Sequence, residues 1–267
     1  MPVDLPTLIS AIEAIAPLEL AASWDNTGLL LEPPTARPIE TLFLTIDLTE
    51  PVLDEAIEAG ADAILAYHPL IFGGVKRLVL RSPHHRIILR CLEAGLPLYA
   101  PHTALDAAPG GMNDWLIDGL GPIASRRPIE PAQSDPAAGM GRVGELVEAV
   151  PLATLIRRVK AWLDLPNLRV AAPDEHAAGA PLKRVAVCPG AGGSAFEALT
   201  EPVDLLVTGE MRHHDVLERV AAGTSVILTD HTNTERGFLA VLGQRLGQAL
   251  PIRCLVSTRD RDPLVIR

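Results

Sequence analysis

The sequence predicts an α/β protein with largely parallel strands, and three observations carry that expectation. Short all-apolar runs alternate with amphipathic segments along most of the chain, as strands joined by crossover helices do. Apolar residues make up 48% of 267 positions but aromatics only 3%, so a sizeable core must be built from Ala, Val, Leu and Ile. A histidine pattern also occurs twice at one spacing, as a duplicated βα unit would produce.

The elements follow in order. TLFLTID (41–47) reads as a buried strand, and PVLDEAIEAG as a helix ending at Gly60. ADAILAYH is a second strand, HHRIILRCLEAG (84–95) a helix closed by glycine, and LPLYAPH a third strand. The Pro-, Ala- and Ser-rich stretch from Ser125 to Ala138 reads as a linker. GRVGELVEAV is then a strand, PLATLIRRVKAWLDL a helix and NLRVAA a short strand. KRVAVCPGAGGS is a strand running into a glycine-rich turn. VDLLVTGE and TSVILTDH are buried strands separated by the helix HHDVLERVAAG. The expected organisation is a first α/β lobe over 1–125, a linker over 126–140 and a second lobe over 141–267. The last helix and strand are free to pack back on the first lobe.

The repeat is short. His84-His85 opens one helix, and His102-Thr103 follows 18 residues after His84. His213-His214 opens another, and His231-Thr232 follows 18 residues after His213. Asp106 stands four residues after His102, and Glu235 four residues after His231. The second copy, TDHTNTERGF (229–238), has two readings. His231 and Glu235 are a metal half-site, or Thr232 and Glu235 form a capping box that starts the next helix.

In open α/β sheets, ligands bind beyond the carboxyl ends of the strands. The polar residues there are Asp47, Tyr67-His68, His102, Glu210 and Asp230-His231, with Asp106 and Glu235 in the turns that follow. Imidazole with carboxylate suits a divalent transition metal: Zn, Mn, Fe or Co. Each residue keeps a structural alternative. His68 is a ligand or a turn residue before Pro69. Asp106 is a ligand or a cap. His102 is a ligand, an outer neighbour or a carbonyl partner. Asp47 and Glu210 fit outer groups that orient ligands. Tyr67 fits a pocket wall or proton donor. His84, His85, His213 and His214 fit surface or capping roles. SWDNTGLLL (23–31) sets Trp24, Asp25 and Asn26 in a loop able to line a pocket. PGAGGS (189–194) is a tight turn or an anion cradle, without the lysine of a P-loop.

The net charge of −10 works against nucleic-acid binding. The clusters Lys76-Arg77-Arg81 and Arg157-Arg158-Lys160 read as solvated faces. Cys91, Cys188 and Cys254 are isolated, which fits a reducing compartment. The N-terminus carries acid where a signal peptide carries base, and no apolar run is of membrane-spanning length. A cytoplasmic protein without membrane contact is expected.

SWDNTGLL, AYHPLIF, HTALDAAPGGMNDWL, GRVGEL, VAVCPGAGGS, VTGEMRHHD and DHTNTERGFL stand in the order found in the Nif-three-like family. These are the dinuclear-metal-centre hexameric proteins, also labelled GTP cyclohydrolase 1 type 2 homologues. The chain resembles their short form, without an inserted domain, along nearly its whole length. The resemblance implies two similar three-layer α/β lobes with a metal cleft between them, assembled as a toroidal homohexamer. It implies His68, Asp106, His231 and Glu235 as metal ligands, with Glu235 and Asp106 bridging, and His102 close by. Where many bacterial members have His-His-Pro, this chain has Tyr67-His68-Pro69, so one or two ions per chain are both open.

The expected activity is a metal-dependent hydrolase using a metal-activated water, with His102 or His214 moving protons. The family label points to a purine nucleotide as the small-molecule substrate. The alternative is a non-enzymatic metal-binding scaffold or regulatory interaction protein; a metal store is a weaker third.

Overall fold

The computed structural model describes residues 2–35 and 37–264. Two compact units result. The first contains the chain up to Leu105 together with Phe238–Arg261; the second contains Asp106–Gly237 and, of the described residues, 262–264.

The first unit is built on a five-stranded sheet in the order Gly28–Leu31, Leu98–Ala100, Ala63–Ala66, Thr41–Thr45, Arg253–Val256. All neighbours are parallel except Gly28–Leu31, which runs antiparallel at the edge. The three central strands are buried throughout, as all-apolar runs in a parallel sheet must be. Helices Glu50–Glu58 and Pro83–Ala94 cover the sheet with Val52, Leu53, Ala56, Ile87, Ile88 and Cys91. The second helix is capped at both ends. The Ser82 hydroxyl accepts from the His85 N–H, and Gly95 turns the chain out at φ 67°. Helix Phe238–Ala249 buries Leu239, Leu242 and Leu246 and delivers Arg253–Val256 into register beside Thr41–Thr45. The last helix and strand of the chain thus belong to the first unit.

The second unit carries a six-stranded sheet in the order Ile123–Arg127, Arg142–Pro151, Pro181–Val187, Leu205–Thr208, Ser225–Leu228, Arg169–Ala171. Only its centre is parallel; Arg142–Pro151 and Arg169–Ala171 flank that centre antiparallel, so this sheet is mixed. Both faces are covered. One carries Leu155 and Val159 of helix Leu152–Leu163 with Leu116 and Ile117; the other carries Phe196, Val203 and Ala195.

The expected linker is ordered structure. Arg126 and Arg127 lie in an edge strand paired with Arg142–Pro151, and Glu130–Pro131 pairs with Gly139–Met140. Arg142 holds this segment. Its guanidinium is almost wholly buried and donates to Asp114 and to the carbonyls of Gly139 and Gly141. Proline-rich composition is as compatible with an edge hairpin as with a linker. The long-range arginine contacts that decide between them have no local pattern. Among the described residues, no helix is long and apolar enough to cross a membrane.

Candidate metal centre

In the first unit, two histidines sit just past strand ends. The Tyr67 and His68 N–H groups donate to the carbonyls of Thr45 and Ile46, extending the parallel pairing by two residues. That register sets His68 beside Asp47, with Nδ1 2.9 Å from Oδ1. His102 follows Leu98–Ala100 at φ 28°, outside the ordinary right-handed range. Its Nδ1 is 2.9 Å from both oxygens of Asp25, whose side chain is fully buried. Burial alone would raise the Asp25 carboxyl. Hydrogen bonds from His102, the Thr103 hydroxyl and the Asn26 N–H outweigh it and hold the group down at about 2. The His68 and His102 rings lie 5.4 Å apart, nearly perpendicular. Tyr67 is buried, edge-on to His102 at 5.4 Å. Its ring is a wall of this half-site.

In the second unit, His231 is held the same way. Its Nδ1 lies 2.9 Å from Oε1 of Glu210, which follows strand Leu205–Thr208. A carboxylate only accepts, so a neutral imidazole anchored on one carries its proton on Nδ1 and turns a lone pair outward at Nε2. His68, His102 and His231 all meet this condition. Outward from His231, Nε2 faces Oε1 of Glu235 at 3.6 Å, and Glu235 is only 2% exposed. That distance is too long for a good hydrogen bond. A lone pair and a buried carboxylate oxygen converge there. The separation is one that two metal–ligand bonds of about 2.1 Å can span.

Gly190 completes the cradle. A Cβ at this position would stand 2.8 Å from His231 Nε2 and 2.9 Å from Glu235 Oε1, in the space a bound ion needs. Gly190 also has φ 62°, and its N–H donates to the Thr234 hydroxyl. The donor chemistry and this vacancy fit a divalent cation. Asp106 is buried in the same unit, where its carbonyl accepts from Asn113. The thiol of Cys188 is pushed up, first by burial and then by the negative charges of Asp106, Glu130 and Glu235.

Other expected residues have plainer roles. The Thr232 hydroxyl bonds to Asp262 and Arg236 instead of capping, Thr232–Thr234 is a single 3-10 turn, and the helix begins only at Phe238. The capping-box reading therefore fails. In the 189–194 turn, the N–H groups of Gly190 and Gly192 are taken by Thr234 and Thr208. The cleft of about 480 Å³ beside it is lined by Glu197, Glu210 and Asp215, with Arg212 already bonded to Asp215. That is a poor anion cradle. His214 is exposed at a helix start, 5.5 Å from the His213 ring. His85 accepts from the Val79 N–H. Asn26 ties down the carbonyl of Ile71. Arg169 lacked a sequence signal, and Asp25 was marked only as a residue of a loop able to line a pocket. Asp25 anchors a histidine 77 positions away. Arg169 pairs at 2.6 Å with Asp230, which is held at φ 67° next to His231.

Carboxylate-anchored imidazoles at the ends of parallel strands define an α/β protein with a candidate metal centre. The chain belongs to the Duf34/NIF3 (NGG1p interacting factor 3) family, whose model matches residues 3–263. It is 36% identical to NIF3-like protein 1 of Rattus norvegicus, over 98% of this chain and 92% of the relative. It is 39% identical to NGG1-interacting factor 3 of Saccharomyces cerevisiae, over 98% of this chain and 97% of the relative. A Bacillus cereus protein related to NIF3 shares the fold, with a TM-score of 0.86 over the whole of both chains at 20% identity.

Proposed function

We propose that the chain binds divalent metal through His231 and Glu235 and acts as a metal-dependent hydrolase. The observation that carries the reading is the convergence of His231 Nε2 and Glu235 Oε1 beside a glycine whose Cβ would fill the gap. His68, with its Nδ1 committed to Asp47, is a candidate donor in the first unit. Asp106 is a further ligand in this reading, supported by its burial in the unit that holds Glu235. Tyr67 contributes no imidazole, so one ion is held firmly and any second one more weakly.

A divalent ion there supplies Lewis acidity and makes water a nucleophile near neutral pH. The remaining steps belong to side chains. Glu210 and Asp47 fix the rotation of their histidines and make Nε2 the donor atom. His102 is the proton carrier. Asp25 stays ionised and holds the Nδ1 proton, so Nε2 is the atom that takes and returns a proton, and the carboxylate stabilises the imidazolium. In this reading the chain works as a cytosolic homohexamer on a small molecule. The acidic cleft beside Gly193 and Glu210 disfavours that cleft as the seat of a phosphate.

A non-enzymatic interaction protein is the second reading, favoured by the yeast relative's name as an NGG1-interacting factor. One experiment separates the two. Native untagged protein is assayed for bound metals, then screened on nucleotides, phosphoesters and cyclic amides. The hydrolase reading expects at least one transition metal per chain and an activity that Glu235→Gln abolishes together with most of the metal. Metal without turnover supports the interaction protein; native protein without metal refutes both metal readings.

A further inference from the structure

The segment 69–81, PLIFGGVKRLVLR, leaves His68 and runs to the helix Pro83–Ala94. It has no helix or strand of its own, and loops this long in a compact unit are commonly functional. Both ends are fastened. Asn26 Nδ2 donates to the Ile71 carbonyl, and Arg86 and His85 hold Leu80 and Val79. Between them, residues 72–78 make no hydrogen bond or ion pair among the described residues.

What this span presents is unusual for the chain. Of four phenylalanines, Phe43, Phe196 and Phe238 are fully buried, whereas Phe72 is 57% exposed. Its ring lies 6.0 Å from that of Trp24, itself 63% exposed. Trp24 in turn stands edge-on to His102 at 6.2 Å. A protein with so few aromatics therefore spends two of them uncovered, side by side, at the rim of the His68–His102 half-site. The same segment carries Lys76, Arg77 and Arg81 with no acidic residue, against a chain charge of −10. All three cations are exposed, and among the described residues none is paired with a carboxylate. At most about 14 Å of extended chain separates Phe72 from Lys76.

We infer that Trp24 and Phe72, with the basic residues of 69–81, form a binding site for a small ligand that joins a planar ring to an anionic group. The ring stacks on the exposed aromatic faces, which any planar heterocycle can use. The anionic group meets Lys76, Arg77 and Arg81. A mononucleotide has this chemistry; a nucleic-acid strand does not suit the site, because three cations are too few to offset repulsion from an acidic chain. In this inference the exposed cations are the anion's partners as well as a solvated face. The inference rests on the hydrolase reading only in naming the bound molecule a substrate; ring and anion capture stand on the first unit alone.

The test is equilibrium binding to the full-length, metal-loaded protein, with adenosine 5′-monophosphate, adenosine, ribose 5-phosphate and an oligoadenylate as probes. The nucleotide should bind more tightly than either fragment and quench a fluorescence component that Trp24→Phe removes. Trp24→Ala with Phe72→Ala should weaken nucleotide binding at least about tenfold. Changing Lys76, Arg77 and Arg81 together to Gln should weaken the nucleotide and flatten its salt dependence, leaving adenosine unchanged. Equal binding of nucleotide and ribose 5-phosphate, tighter binding of oligoadenylate, or unaltered binding in both variants overturns the site. So does an aromatic double variant that changes only oligomeric mass, since the rings then cover a second copy. Metal content is read on the same samples. Metal-free native protein that still binds nucleotide defeats the metal reading alone, and metal-loaded protein that ignores nucleotide defeats the ring site alone.

Discussion

Gly190 shows how much of the site depends on what is not there. Its missing side chain leaves His231 Nε2 and Glu235 Oε1 open toward each other, and its positive φ is one that glycine adopts without a Cβ penalty. Gly190→Ala should cost about 1–2 kcal/mol through the left-handed backbone. It should reduce metal affinity by more than that strain accounts for, because the methyl group occupies the cation's space. Calorimetric titration of a divalent metal, with the melting temperature followed in parallel, separates the two effects. Anchoring residues were partly legible at this scale. Asp47 and Glu210 follow strands, so position alone marked them as groups able to orient a histidine. Asp25 was visible only as a loop residue, since its bond to His102 depends on tertiary packing. Thr232 misled for the opposite reason: a local capping pattern was present, but a distant aspartate and Arg236 took the hydroxyl.

Among elements, helix Glu50–Glu58 does more than cover its sheet. Glu55 accepts from the Thr258 hydroxyl and N–H at 2.6 and 2.8 Å and from the Arg259 N–H at 3.1 Å, fastening the chain just beyond Arg253–Val256. Burial works against its charge, but the hydrogen bonds from Ser257, Thr258 and Arg259 prevail and lower the carboxyl to about 2. A depressed carboxylate stabilises the fold above its unfolded value near 4.5, and that contribution is lost as pH falls through about 2. Allowing for solvent screening, Glu55→Gln should cost about 1–2 kcal/mol at neutral pH. The gap from wild type should close as the medium is acidified toward pH 2; denaturant melts across that range measure it. Elements of this kind were mostly readable from sequence, because all-apolar strands and glycine-closed helices announce themselves locally. The failures were the edge strand Ile123–Arg127 and the hairpin after it, whose pairing with distant partners is invisible in a Pro- and Ala-rich composition.

For the whole molecule, the sequence repeat corresponds to a real structural echo. Each unit sets a histidine past the end of a parallel strand and fixes its Nδ1 on a carboxylate, His102 on Asp25 and His231 on Glu210. Each also bends the backbone to positive φ at that point, at His102 in one and Asp230 in the other. The copies then diverge. The first continues as helix His102–Ala107, the second as a 3-10 turn that brings Glu235 under His231. Two α/β units were foreseeable from alternation, and so was the option, which the chain takes, that the last helix and strand return to the first sheet; the boundary at Leu105 instead of 125 was not. The central claim is that His231 Nε2 and Glu235 Oε1 hold a divalent ion. Crystals of native protein grown without chelator, measured for anomalous scattering above the absorption edge of the metal found by elemental analysis, test it most directly. The account predicts an anomalous peak within bonding distance of His231 Nε2 and Glu235 Oε1. A metal-containing protein whose peak lies elsewhere, or is bound through Nδ1 with the Glu210 contact broken, would contradict it.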